Sequence, residues 1–275
     1  MVCKTAGMAG LLLPFILLIV AAGCGGGNSG PAEGQTAPGA EPTAKTSALS
    51  TGADLLQAKA PVDRIAMYLV GFHPMKAEPS MQMESHHYCT QVNEDFAQCV
   101  LFDGNTDGAR LHGVEYIISA QLHATLPADE RPYWHPHNYE ILSGQLRAPG
   151  LPVAAEEEAL KAKLNSYGKT WHLWKTGVHG QPPDALPLGP PHLAWSFNSD
   201  GEMVPALGAA RDARMQLDSN EARTRREPWA ADAHPQAGVD VLASQFPAAK
   251  GAPAGVRDTG DASARGTPVT TMRKD

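Results

Sequence analysis

The chain has 275 residues and a formal net charge of −7 at pH 7. A nucleic-acid-binding domain needs a basic face that neutralises phosphates, so this charge balance argues against a nucleic-acid partner. Apolar residues make up 43% of the chain and charged residues 19%, as in an ordinary globular protein. Glycine and proline are concentrated towards both ends, which predicts a folded domain shorter than the chain.

The N-terminal segment has the features of a lipoprotein export signal. An apolar run over residues 8–22 follows Lys4, is too short to span a membrane and contains Pro14. The run ends in Ala-Ala-Gly-Cys, where small residues precede Cys24 as in a lipobox. We therefore expect cleavage after residues 1–23, acylation of Cys24 with fatty acids such as palmitate, and a mature protein anchored to the cell membrane. The alternatives are an ordinary secretory signal in which Cys24 has no special role, and an uncleaved anchor, which the shortness of the apolar run disfavours.

The segment after the cleavage site predicts how the domain is attached. Gly25 rather than Asp follows the lipidated cysteine, which by the lipoprotein sorting rule favours the outer membrane of a two-membrane cell. Residues 24–52 are rich in Gly, Pro, Ala and Thr and offer little that could bury a core, so we expect a flexible tether. The folded domain is expected over residues 53–240, followed by a disordered tail over residues 241–275.

The predicted domain contains helical and strand patterns in mixed order. Helices are predicted over residues 61–70, 127–130, 154–166 and 208–226, and strands over residues 99–103, 111–119, 139–147, 170–175, 192–197 and 202–204. Gly168 is predicted to end the third helix as a C-terminal cap. Strands outnumber helices, which predicts an α+β domain built around a mainly antiparallel sheet with a few short helices.

Several short motifs in this domain form an ordered set. They read ESHHYC (84–89), NEDF (93–96), GVEYIIS (113–119), WHPHNYE (134–140), YGKTWHLW (167–174) and LPLGP (186–190). Together they resemble the oil body-associated protein family, a domain-of-unknown-function family best known from plant seeds, over about residues 61–235. The resemblance implies a lipid-interface role and no established catalytic activity. The lipobox and tether depart from the family's pattern, so oil-body targeting itself is not expected here.

Histidines are the most distinctive chemical feature of the predicted domain. Ten of the eleven lie between residues 61 and 205. In an extended segment His135 and His137 point the same way and can chelate one divalent metal ion, to which Glu140 could add a carboxylate. The candidate ligands are therefore His135, His137, Glu140 and His172, with His73, His86 and His87 as further candidates. The alternative is that these residues are hydrogen-bonded polar groups of a sheet.

Cys89 and Cys99 are the two cysteines of the predicted domain. An even number of cysteines in an oxidising compartment favours a disulfide. Two free buried thiols are the alternative, and the family resemblance supports it, because cytosolic members carry the same two cysteines. A third option is a metal-binding pair of His87 and Cys89, which would share one face of a strand.

The remaining features leave three functions open. Glu115 lies within an apolar strand pattern and is either a buried, partnered carboxylate or an edge residue facing water. The sequence contains no Walker sequence and no Gly-x-Ser-x-Gly motif. We favour a non-enzymatic lipoprotein whose domain binds a small or lipidic ligand, or a partner, at the cell envelope. The alternatives are a metal-dependent enzyme centred on His135 and His137, and a purely structural envelope protein.

Overall fold

Seven strands form one antiparallel sheet that carries the candidate site. In the computed structural model, which describes residues 38–266, the strands are β1 (Met67–Met75), β2 (Glu78–Asn93), β3 (Phe96–Phe102), β4 (Leu111–Ile118), β5 (His135–Pro136), β6 (Tyr167–His172) and β7 (His192–Leu193). The strand order is β1-β2-β3-β4-β6-β5, and β7 also pairs with β6. All six pairings are antiparallel. The predicted α+β class with a mainly antiparallel sheet is confirmed.

Short helices surround this sheet. The α-helices are α1 (Ala44–Leu56), α2 (Ala60–Asp63), α3 (Ala120–Ala124), α4 (Asn138–Leu142), α5 (Val153–Lys161), α6 (Pro205–Met215) and α7 (Ser219–Arg226). Four 3-10 helices span Arg131–Tyr133, Glu227–Ala231, Ala243–Gln245 and Ala262–Arg265. No helix within residues 38–266 is both long and apolar enough to cross a membrane.

The core lies between the sheet and helices α4 and α5. Leu69 of β1 packs against Ile141 and Leu142 of α4 and Leu160 of α5. Burying a side chain of this size stabilises a fold by about 1.5–3 kcal/mol. Leu69 pairs directly with His87 of β2, so both side chains project from the same side of the sheet, towards this core. Histidines on this side are therefore shielded from water by the helices.

A disulfide joins β2 to β3 in a second buried cluster on the same side of the sheet. Cys89 and Cys99 lie directly opposite each other in the antiparallel pair and are bonded. Ala97, Leu101 and Ile117 pack around them. The expected disulfide is therefore present in the structure, and Cys89 is not a thiolate partner for a metal ion.

Two predicted elements are wrong. The helix predicted over residues 61–70 is limited to Ala60–Asp63, and the chain continues as strand β1. Residues 69–75 are buried on both sides of the sheet, so their apolar residues do not alternate with polar ones and were open to a helical interpretation. The strand predicted over residues 139–147 begins instead as helix α4, whose five residues are all buried.

Other predicted elements differ mainly in their limits. The strands predicted over 99–103 and 111–119 match β3 and β4. The strand predicted over 170–175 begins and ends three residues earlier, as β6, and the strand predicted over 192–197 is limited to the two residues of β7. Residues 127–130 form turns before a 3-10 helix, and residues 202–204 are not a strand. The helix predicted over 208–226 is divided in two at Gln216, whose φ is 54°. Gly168 lies within β6 and does not cap a helix.

The chain beyond the predicted domain has defined contacts. Within the predicted tether, helix α1 forms but none of its residues is buried. Past the predicted boundary at residue 240, Leu242 and Ala264 are buried and Asp261 pairs with Arg131 of the domain. The packed chain therefore extends to residue 266. The predicted signal peptide and the lipidation of Cys24 lie outside the described residues.

Candidate metal centre

Strand register brings a carboxylate and a histidine from distant parts of the chain to one place. His135 of β5 pairs with Gly168 of β6, and Glu115 of β4 pairs with Thr170 of β6. Gly168 and Thr170 are two residues apart, so they share a side of the sheet and their partners do as well. Glu115 and His135 consequently approach each other across the backbone of Gly168. His137 follows two residues after His135 and reaches the same point.

Three buried ligand atoms converge there. The two Nε2 atoms of His135 and His137 are 3.2 Å apart. Glu115 Oε1 lies 3.4 Å from His137 Nε2 and 3.7 Å from His135 Nε2. A triangle with these sides has a circumradius of about 2.0 Å, which is the length of a Zn–N or Zn–O bond in proteins. An ion at the centre of this triangle would therefore lie at bonding distance from all three atoms.

Gly168 leaves open the space in front of these atoms. A Cβ atom at this position would lie 2.3 Å from Glu115 Oε1 and 2.6 Å from each Nε2 atom of His135 and His137. These separations are far below van der Waals contact, so any other residue would displace the three ligand atoms. Glycine in the middle of a strand usually weakens it, and it often marks a close approach of another group. The absence of a side chain at Gly168 therefore creates a small cavity that the three ligand atoms face.

A serine orients His137 for metal binding. Ser166 donates its hydroxyl proton to the carbonyl of Lys163 at 2.7 Å. Its oxygen lies 2.8 Å from His137 Nδ1 and therefore accepts the Nδ1–H proton of that ring. This hydrogen bond leaves the lone pair of Nε2 directed at Glu115 and His135. Metal-binding histidines are commonly held by such a hydrogen bond on their other nitrogen.

Burial sets the protonation of the groups around the centre. Burial lowers the pKa of His135 to about 3, with a further contribution from the neighbouring His137. Burial alone would raise the pKa of Glu115, but the positive charge that the neighbouring His87 and His135 can carry holds it well below its usual value. A neutral imidazole and an ionised carboxylate are the forms that bind metal ions.

Glu140 lies beside the triad, and its pKa is shifted in the opposite direction to that of Glu115. Its Oε2 lies 3.9 Å from His137 Nε2, one turn along helix α4. Burial, together with the charge of Glu115, raises the pKa of Glu140 well above its usual value. A neutral carboxylic acid next to an ionised one is the arrangement in which one group can donate a proton.

The other predicted ligands occupy two separate positions. His87 Nε2 lies 2.9 Å from Glu115 Oε2, on the side of the carboxylate away from His135. His172 is not part of the triad: its Nε2 is 3.0 Å from His73 Nδ1, and its ring stacks edge-on against His112. His86 points to the opposite side of the sheet and bonds to the hydroxyl of Tyr68.

Two members of the centre were not predicted as such from the sequence. Glu115 stood out as a carboxylate within an apolar strand, but it was not assigned as a ligand. Gly168 was interpreted as a helix cap. Both assignments depend on the pairing of β6 with β4 and β5, which joins segments far apart in the sequence and cannot be read from spacing alone.

A segment near the C-terminus fixes the loop that carries the two histidines. Gln236 Oε1 accepts a hydrogen bond from the backbone N–H of Asn138, and its Nε2 donates to the carbonyl of Ser166, both at 2.8 Å. Asn138 in turn donates from Nδ2 to the carbonyl of His234 at 2.7 Å. The segment thus links the backbone beside His137 to Ser166, the residue that orients it.

Comparisons with known proteins identify relatives of the chain. The family model described as "Protein of unknown function (DUF1264)" matches residues 59–230. Oil body-associated protein 1A of Zea mays is 35% identical over 207 residues, which cover 75% of this chain and 84% of that protein. Oil body-associated protein 1B of Arabidopsis thaliana is 33% identical over 217 residues, or 79% of this chain and 87% of that protein.

The matched region contains every residue of the centre, from Glu115 through His135, His137 and Glu140 to Gly168. No solved structure matches the chain. The extent of the family match, together with relatives at 33–35% identity over most of their length, shows that this chain belongs to the DUF1264 family, which includes the plant oil body-associated proteins.

Proposed function

We propose that this protein is a membrane-anchored lipoprotein whose domain binds a divalent transition metal ion in a non-enzymatic role. The observation that carries the metal proposal is the convergence of Glu115 Oε1 and the Nε2 atoms of His135 and His137 on the cavity left by Gly168. The closed environment supports a binding role, because Glu115, His135 and His137 are all buried.

The ligand types favour Zn²⁺ over the hard divalent cations. Zn²⁺ binds imidazole nitrogen and carboxylate oxygen in four-coordinate sites at about 2.0–2.2 Å. Ca²⁺ and Mg²⁺ prefer sites built entirely of oxygen atoms, which the two imidazoles do not provide. Glu140, whose Oε2 is 3.9 Å from His137 Nε2, is the nearest carboxylate that could serve as a fourth ligand.

Attachment to a lipid surface is supported by two independent features. The apolar run that ends in Ala-Ala-Gly-Cys24 has the pattern of a lipoprotein signal. The relatives are named as oil body-associated proteins, which links the family to lipid surfaces. We infer that the domain is held at the periplasmic or outer face of the outer membrane and faces lipid or a lipidic ligand there.

A metal-dependent enzyme is a second candidate, and Glu140 favours it. This acid lies beside the triad, and its burial next to Glu115 raises its pKa well above the usual value. A metal ion supplies Lewis-acid chemistry, and a neutral carboxylic acid can donate a proton to a leaving group. An enzyme that uses Glu140 as its proton donor would lose its activity in the Glu140→Gln variant while keeping its metal, whereas a binding domain that uses Glu140 as its fourth ligand would bind Zn²⁺ more weakly.

Metal analysis of the full-length protein tests the proposal. The wild type should contain at least one equivalent of Zn²⁺ after loading and gel filtration, and Glu115→Gln should lose it. His123→Gln is the matched control, because His123 is a buried histidine that stacks on Tyr167 outside the triad. A wild type that binds no metal, or a Glu115→Gln variant that binds as much as the wild type, would show that the triad is only a hydrogen-bonded cluster.

A further inference from the structure

We infer that Glu115 bridges two metal ions, and that its Oε2 forms a second cation site with His87 and His73. This inference rests on the proposed function, because Glu115 Oε1 belongs to the first centre with His135 and His137. The second site is also buried, and it lies on the other side of the same carboxylate.

The first observation is an unsatisfied carboxylate oxygen. Glu115 Oε2 is buried and receives no hydrogen bond of acceptable geometry from the described residues. His87 Nε2 is only 2.9 Å from it, yet this contact does not meet the geometry of a hydrogen bond. A buried carboxylate oxygen without a donor is costly. A cation placed between Glu115 Oε2 and His87 Nε2 would satisfy both atoms.

The second observation concerns His73, which supplies a third ligand. The ring of His73 lies 5.1 Å from that of His87, centroid to centroid, at an interplanar angle of 87°. Ligand atoms of His73, His87 and Glu115 all lie within 4.8 Å of one another. The triad Glu115, His135 and His137 meets the same distance limit, so the second triad has a comparable spacing.

The hydrogen bonding of His73 matches that of a metal ligand. Its Nδ1 is 3.0 Å from His172 Nε2. In the tautomer in which His73 Nδ1–H donates to His172 Nε2, this hydrogen bond fixes the ring and leaves the lone pair of His73 Nε2 free for a cation. This is the same arrangement that Ser166 creates for His137 in the first centre. His172 therefore acts as a positioning residue in this proposal, and not as a ligand.

A shared carboxylate accounts for the placement of the two triads. The two oxygens of one carboxylate hold two ions at a separation of about 3.5–4 Å, as in known two-metal sites. His73 also lies near the first centre, with its ring 5.7 Å from that of His135. The imidazole and carboxylate ligands of both sites suit divalent transition metals such as Zn²⁺ and Mn²⁺.

Metal stoichiometry of the full-length protein decides between one ion and two. After loading with Zn²⁺ and gel filtration, the wild type should hold two equivalents. His87→Gln and His73→Gln should each hold one, His135→Gln should hold one, and Glu115→Gln should hold none. His86→Gln is the matched control, since His86 is the neighbour of His87 on the opposite side of β2, and it should retain both ions.

A spectroscopic measurement accompanies the stoichiometry. With Mn²⁺ in place of Zn²⁺, electron paramagnetic resonance should show spin coupling in the wild type and the signal of an isolated ion in His87→Gln. A wild type with one equivalent that persists in His87→Gln would overturn the second site and leave the proposed function intact. One equivalent that is lost in His87→Gln would mean a single ion in a different position. No bound metal in the wild type would overturn both proposals.

Discussion

Gly168 lies directly opposite His135 in the antiparallel pair of β6 and β5, and the position of its missing Cβ is 2.6 Å from His135 Nε2. The same position is 2.3 Å from Glu115 Oε1. Strand β6 therefore has no side chain at the point where a carboxylate and two imidazoles converge. Any side chain at this position would displace the three groups.

The first prediction concerns this glycine. Gly168→Ala should abolish high-affinity Zn²⁺ binding, because the new methyl group occupies the cavity and pushes the ligand atoms apart. Overpacking of this kind also lowers the free energy of unfolding by about 1–3 kcal/mol. Zn²⁺ titration and thermal unfolding measure the two effects. Gly108→Ala is the control, because a Cβ at Gly108 meets no atom within 4 Å. Wild-type affinity in Gly168→Ala would contradict the proposed position of the metal.

The second prediction concerns the residue that orients His137. Ser166→Ala removes the acceptor of the His137 Nδ1–H proton, so the ring should lose its fixed orientation. Loss of such a hydrogen bond typically reduces metal affinity by about 10–100-fold. Competition with a chromophoric chelator measures this change, and circular dichroism checks that the fold is retained. Ser199→Ala is the control, since the Ser199 hydroxyl bonds only to the carbonyl of Gly251, in an exposed position. An unchanged affinity in Ser166→Ala would remove His137 from the set of ligands.

The fold could be predicted from the sequence only where burial is one-sided or an element is bounded by clear turns. Strands β3 and β4 were predicted nearly to their limits. Strand β1 was not, because both of its sides are covered and its apolar residues lack a period of two. Helix α4 was missed for a similar reason, since all of its residues are buried and no polar side identifies it as a helix.

The candidate site could be predicted only in its local part. The spacing of His135 and His137 placed two imidazoles together, and the carboxylate of Glu115 was recognised as unusual in an apolar strand. Their convergence depends on the register of three strands, in which Gly168 separates Glu115 from His135. Long-range register leaves no trace in a single sequence, so His172 was assigned to the centre and Glu115 was not.

The third prediction concerns the C-terminal segment. Removing residues 241–275 deletes the buried Leu242 and Ala264 and the ion pair between Asp261 and Arg131. Each buried apolar side chain contributes roughly 1–3 kcal/mol according to its size, so the melting temperature should fall by several degrees. Removing only residues 267–275 is the matched control for shortening the chain. Equal melting temperatures for the two truncated proteins would show that residues 241–266 do not contribute to stability.

The fourth prediction concerns the disulfide between Cys89 and Cys99. The bond closes a loop with a sequence separation of 10 residues. The chain-entropy model gives about 2–3 kcal/mol of stabilisation for a loop of this size. The double Cys→Ser variant should therefore have a lower melting temperature than the oxidised wild type, and reductant should affect only the wild type. Two reactive thiols in denatured, unreduced protein would instead mean that Cys89 and Cys99 are free.

The last prediction concerns attachment to the membrane. Cys24→Ala removes the thiol that we expect to be acylated, so the variant should incorporate no labelled fatty acid and should leave the membrane fraction. Two acyl chains are needed for lasting anchorage, and a net charge of −7 gives the protein no overall electrostatic attraction to an anionic membrane surface that could replace them. Metabolic labelling followed by fractionation of a bacterial host measures both effects.

Gly25→Asp provides the control for the attachment test. This variant keeps Cys24 and should still be labelled, but the sorting rule predicts that it moves from the outer to the inner membrane. Labelling of Cys24→Ala at the wild-type level would refute lipidation at this residue. Labelled Gly25→Asp that stays in the outer membrane would leave lipidation intact and refute the role assigned to Gly25.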